Sequence, residues 1–172
     1  MKELKQPRHG HLTTALALVA GALGVCAIGP AHAALGSQPL TAPQGATAAN
    51  AVVHAATGAS GASASAAANY SVRTTTLASG TVINEYVSSG GTVFGIAWRG
   101  PRVPDLSTLL GSYFPQYKQG LLAQRAERGG RGAVSVEGSD LVVHSSGHMG
   151  AFAGNAYLPQ SLPAGVSASD IQ

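Results

Sequence analysis

Cysteine is nearly absent from this 172-residue chain, Cys26 being the single one. Intrachain disulfides are therefore excluded, as are zinc sites built from several thiolates. Charge is also scarce, at 10% Asp, Glu, Lys and Arg, and only 5% of the residues are aromatic. The longest charge-free apolar run, residues 12–28, falls short of the roughly 20 residues that a spanning helix requires.

That run has a specific setting. Lys2, Lys5 and Arg8 precede it, Gly21 and Gly24 interrupt it, and Gly29-Pro30-Ala31-His32-Ala33 follows it. A basic start, an apolar middle and a small-residue end make up a secretory signal peptide, and Ala31-x-Ala33 is the cleavage motif. The expectation is a signal over residues 1–33, cut between Ala33 and Ala34, with a mature protein in the periplasm or secreted. Lipid attachment through Cys26 is the alternative, but the β-branched Val25 is a poor neighbour for it. Cleavage after Ala33 leaves a mature chain with no cysteine. From Ala34 onward seven Lys and Arg face six Asp and Glu, a net charge of +1, so there is no electrostatic case for nucleic acid. No transmembrane segment is expected once the signal is removed.

Residues 34–69 contain no charged or aromatic residue, and Leu35, Leu40, Val52 and Val53 are their only larger aliphatic side chains. So little apolar surface does not offset an ordering cost of roughly 1–2 kcal/mol per residue. The expectation is an Ala/Gly/Ser-rich flexible tether followed by a domain over residues 70–172. Every aromatic residue lies between Tyr70 and Tyr157, which places the core there.

Within that region, residues 70–77, 81–87 and 92–98 are rich in β-branched and aromatic residues and are separated by Ser/Gly turns, the pattern of a three-stranded meander. Alternation predicts Phe94, Ile96 and Trp98 on one face of the third strand, packed against a helix. Pro104-Asp105 opens that helix. Leu106, Leu109, Leu110, Tyr113, Phe114, Tyr117 and Leu121 form its apolar stripe, and Pro115 predicts a kink or a division into two helices. Residues 133–136, 141–144 and 149–158 read as further strands. The order βββ-α-ββ gives an α+β domain, an antiparallel sheet of about five to six strands with a kinked helix or helix pair on one face.

These residues resemble an uncharacterised family of exported bacterial proteins, domain of unknown function 2844. The resemblance is carried by Gly80-Thr81-Val82, Glu85-Tyr86-Val87, Val93-Phe94 through Ala97-Trp98 to Gly100-Pro101, and Pro104-Asp105-Leu106. It continues in Leu109-Leu110-Gly111, Tyr113-Phe114, Asp140-Leu141-Val142-Val143, Gly147-His148-Met149 and Ala156-Tyr157-Leu158-Pro159. It implies export and a shared fold, and it supplies no activity. Two departures are visible: the long Ala/Gly/Ser stretch, and Gly150-Ala151 where the family tends to carry an Arg.

Chemistry-bearing motifs are few. His144 and His148 flank Ser145-Ser146-Gly147 and are candidates for a metal pair, with Glu85 or Asp140 as a third ligand. The competing reading is a hairpin turn with ordinary histidines and turn serines. There is no nucleophile elbow and no local carboxylate pair. Arg125, Arg128 and Arg131 around Gly129-Gly130 read either as a solvated loop or as a patch for an anionic polymer.

Trp98, Arg99 and Arg102 are the partner-binding candidates. Trp and Arg are the residue types of interface hot spots, although Trp98 also reads as the end of the core. The expectation is a non-catalytic exported binding or accessory protein of the bacterial envelope, with no cofactor and with an envelope protein or anionic envelope polymer as partner. The alternatives are a hydrolase or metal-binding protein using His144 and His148, and a tethered surface or secreted component.

Overall fold

The computed structural model describes residues 35–55, 69–130 and 132–172. The signal segment, Cys26 and the Ala33–Ala34 bond lie outside the described residues. The strands are β1 (Thr47–Ala48), β2 (Val52–Ala55), β3 (Asn69–Thr76), β4 (Val82–Ser88), β5 (Val93–Gly100), β6 (Val134–Glu137), β7 (Val142–His148) and β8 (Ala151–Tyr157). Between β5 and β6 run helix α1 (Leu106–Leu110), a 3-10 turn (Gly111–Tyr113) and helix α2 (Phe114–Arg128). The sheet is antiparallel with order β1-β3-β4-β5-β8-β7-β6, and β2 pairs with the other part of β3.

The expected α+β class and the β3-β4-β5 meander are present, and the sheet gains two strands at its edge. A second meander, β6-β7-β8, joins the first through the β5–β8 pair. The helical segment is the crossover from β5 to the far edge, and it covers one face of the sheet. Asp105 caps α1: its carboxylate accepts from the Ser107 amide (2.9 Å) and from the Ser107 (2.5 Å) and Thr108 (2.6 Å) hydroxyls. These bonds, led by the Ser107 hydroxyl, hold the Asp105 carboxyl below the usual aspartate range. Pro115 lies in the first turn of α2, where an amide hydrogen would have no partner in the helix. The helical region divides there, as the proline predicts.

The stripe faces the sheet. Leu109, Leu110 and Tyr117 are buried with Ile83, Val87, Ile96, Trp98, Leu141 and Val143, while Leu106, Tyr113, Phe114 and Leu121 pack around them. One expected face assignment is wrong. The register slips between Tyr86 and Val87, so that Tyr86 pairs with Gly95 but Val87 pairs with Val93. Phe94 is the extra residue of this bulge. It turns to the opposite face and joins Tyr86, Ala97 and Ile171 in a second core, roofed by Leu162 and Val166 of the C-terminal segment.

Over residues 35–55 the expected tether is also corrected, its residues 56–68 lying outside the described residues. Leu35 is 1% exposed and belongs to the helix-side core, and Leu40 is buried. Leu35 N–H donates to the Leu109 carbonyl (3.0 Å). Gly36 N–H donates to the Val93 carbonyl (2.8 Å), and Val93 N–H donates to the Ser37 carbonyl (2.8 Å). Residues 35–40 thus form a strap across α1 and β5. Gly36 has φ +84°, and a Cβ there would lie 3.1 Å from the Tyr113 ring, so the strap's turn favours glycine. Average composition over 36 residues concealed two leucines and a set of backbone bonds that satisfy the strand start.

Candidate functional site

On the face of the sheet away from the helices, the C-terminal segment covers only part of the surface. Its Ile171 packs over Gly95, and its backbone is tied down by side chains. Asn155 donates to the Ile171 carbonyl (2.9 Å), and Asn84 donates to the Gln172 carbonyl (3.1 Å). Tyr86 OH donates to the Gln172 carbonyl (2.9 Å) and accepts from Gln172 N–H (3.0 Å). Burial pushes the Tyr86 phenol above its ordinary range.

Beyond this roof the sheet is open. One groove of about 470 Å³ is lined by residues including Arg99, Ser135, His144, Ser146, Ala153 and Asn155. A second, of about 390 Å³, shares Trp98, Arg99 and Gln172 with it and adds Val82, Asn84 and Ala97. The register explains the concavity: Arg99 lies between Val82 and Ala153, and Ala97 lies between Asn84 and Asn155. Ala97 and Ala153 leave the floor low while Arg99 and the Gln172 segment rise at its side. Arg99 is exposed and has no acidic partner among the described residues.

Trp98 is among the residues that line both grooves. It is 3% exposed and packs in the helix-side core, because consecutive strand residues point to opposite faces. Its ring lies on Gly154, where a Cβ would come within 2.4 Å of Trp98 Cζ2. Trp98 is thus a buried core residue that borders the grooves. Arg102 is exposed in the following loop, its carbonyl accepting from the Thr81 hydroxyl (2.8 Å), and it does not line either groove.

His144 and His148 are not brought together. Ser145, Ser146 and Gly147 continue β7 rather than forming a turn, and the reversal comes at Met149-Gly150. Four residues along one strand separate the two rings by roughly 13 Å. His144 Nδ1 lies 3.3 Å from the Ser135 hydroxyl, and His148 Nδ1 lies 3.2 Å from the Met149 carbonyl. No group of three metal-ligating side chains occurs among the described residues.

Arg125 and Arg128 line an open groove of about 460 Å³ with Gln124, Gly129 and Gly130; Arg131 lies outside the described residues. Both arginines occupy the last turn of α2, where a cation complements the helix dipole. Gln124 bridges to the sheet edge, accepting from Ser135 N–H (3.1 Å) and donating to the Ala133 carbonyl (3.2 Å).

Glu85 is the unexpected residue. Its side chain is fully buried beneath the strap, where Oε1 accepts from Leu40 N–H at 2.7 Å. Oε2 has no hydrogen-bond partner among the described residues. Burial raises the Glu85 carboxyl above the usual glutamate range, against smaller opposing effects from Leu40 N–H and Arg73. The signal for this was present in Ile83-x-Glu85-x-Val87, where alternation places the acid between two core aliphatics.

A family model for a protein of unknown function, DUF2844, matches residues 31–171. The chain belongs to the DUF2844 family. The match takes in the strap as well as both meanders, so the DUF2844 unit extends N-terminal of the expected boundary at Tyr70. No match was found among curated proteins or solved structures. No helix among the described residues of this DUF2844 chain is long and apolar enough to cross a membrane.

Proposed function

We propose that this DUF2844 protein is a non-catalytic binding or accessory protein of the bacterial envelope, acting outside the cytoplasm after loss of residues 1–33. The groove around Arg99 is its recognition surface. The observation that carries this reading is an exposed guanidinium, unpaired among the described residues, beside a low floor of Ala97 and Ala153 on a sheet face roofed only in part. A guanidinium held on a strand is a planar, permanently charged donor suited to a carboxylate or phosphate. The ligand chemistry is therefore an acidic group on an envelope component. His144 and the Ser146 hydroxyl add polar contacts along the same groove.

The test is crosslinking and capture in intact cells with the wild type, Arg99→Glu and Arg102→Ala. Charge reversal at Arg99 should abolish capture, whereas Arg102→Ala should leave it intact, with both variants melting like the wild type. Digestion of the captured material with protease, or hydrolysis of its phosphodiesters, distinguishes an acidic protein from an anionic polymer. Equal capture by all three proteins would remove the groove from consideration.

A further inference from the structure

Glu85 combines three features that structural acids rarely share. It is fully buried, one oxygen is bonded to the backbone of a segment distant in sequence, and the other oxygen has no partner among the described residues. The segment it holds, residues 35–40, covers the helix-side core from the N-terminal side and reaches β4 through the Leu40–Glu85 bond. We propose that Glu85 is a proton-operated latch for this strap: the neutral acid keeps it docked, and ionisation favours its release.

The physical argument begins with the surroundings. Arg73, directly opposite on β3, is the charged group that acts on Glu85 among the described residues, favouring its ionised form. From β5 the opposite residue is Ile96, and residues 35–40 contain no titratable side chain. The helical layer over this face contributes leucines and the phenols of Tyr113 and Tyr117. A carboxylate there has one amide and one guanidinium to replace its hydration, and its second oxygen gains nothing. A neutral carboxylic acid needs only the Leu40 amide at its carbonyl oxygen and leaves a single hydroxyl unsatisfied, a far smaller cost than an underhydrated charge.

Leu40 of the strap is bonded to Glu85 Oε1, so release of the strap breaks this bond and admits water to the carboxyl. The direction follows from linkage. The docked state holds a proton that the open state releases, so docking is complete at pH below the ordinary glutamate value. It weakens as pH rises through the raised value. One proton is involved, so the docking constant falls by up to about tenfold per pH unit across that window.

Hydrogen exchange of the Leu35, Gly36 and Leu40 amides tests this across the acid-to-neutral range, with rates corrected for intrinsic pH dependence. In the wild type their protection should fall by up to about tenfold per unit, while amides of β7 stay constant. In Glu85→Gln, which keeps an acceptor for Leu40 N–H and cannot ionise, strap protection should be independent of pH. Identical pH dependence in the two proteins would overturn the proposal. Should Glu85→Gln fail to fold, the wild-type carboxyl carbon decides by NMR: its titration midpoint must lie above the glutamate range and coincide with the loss of strap protection. A midpoint in the ordinary range, or one separate from strap opening, refutes the latch.

Discussion

Replacing Leu35 by alanine is the sharpest test of the strap, because composition makes this residue expendable and packing makes it central. Its side chain is 1% exposed and touches the same cluster as Leu109, Leu110 and Leu158. Truncating a leucine so placed removes the transfer free energy of three methyl-equivalent carbons and leaves a cavity, together about 2–5 kcal/mol. For a domain between the small and medium size classes, 1 kcal/mol moves the midpoint of melting by about 4 °C. Leu35→Ala should therefore lower it by about 8–20 °C. Val53 is the control: it lies in the same charge-free stretch but is 70% exposed, and Val53→Ala should cost about 0.5 kcal/mol or less. Urea denaturation followed by Trp98 fluorescence supplies the free energies, and an unchanged m-value would show that the native state alone is affected. Indistinguishable midpoints for the two variants would refute the packing of the strap and restore a free tether.

Two further outcomes are expected. Gly154→Ala places a methyl group 2.4 Å from Trp98 Cζ2 and 2.5 Å from the His144 carbonyl, so it should destabilise by about 1–3 kcal/mol and alter the near-ultraviolet circular dichroism of the tryptophan; a wild-type spectrum and melt would disprove the close stacking. Asp105→Ala should cost about 0.5–2 kcal/mol as the loss of a helix cap. Because the Asp105 carboxyl is held low, its contribution is complete above the ordinary aspartate value and is lost as pH falls through the lowered one, so wild type and variant should converge in acid urea melts.

Much of the fold was legible because its signals are local. Turn glycines and β-branched runs marked β3, β4 and β5, and the i, i+3, i+4 stripe from Leu106 to Leu121 marked the helical face that is buried. What escaped were features decided by pairing across the chain. Phe94 obeys alternation until a bulge opposite Tyr86 and Val87 turns it over, and no property of Val93-Phe94-Gly95 alone announces the slip. Leu35 and Leu40 stand in a polar-neutral stretch whose average predicts no packing, yet two side chains and three backbone bonds suffice when the receiving surface already exists. The candidate site was half legible. Arg99 and Arg102 look equivalent in sequence, and only strand register assigns the first to the groove and the second to a loop. His144 and His148 looked adjacent because the intervening serines and glycine read as a turn, whereas the extended β7 holds them apart.

The strap and the C-terminal segment meet the same strand from opposite sides: Gly36 and Ser37 bond to Val93, and Ile171 lies over Gly95. The centre of the sheet is thus completed by residues more than 130 positions apart in a 172-residue chain. Such closure has a kinetic meaning. The two meanders and the helical crossover can assemble from neighbours in sequence, but β5 stays wet on one side until residue 171 has been made and has found Gly95. Long-range contacts of this kind slow folding, and they keep the nascent chain open for as long as Ile171 has not reached Gly95. Removal of residues 35–40 or of residues 168–172 would leave a sheet of nearly full length with its middle strand partly uncovered, an aggregation-prone species rather than a smaller domain.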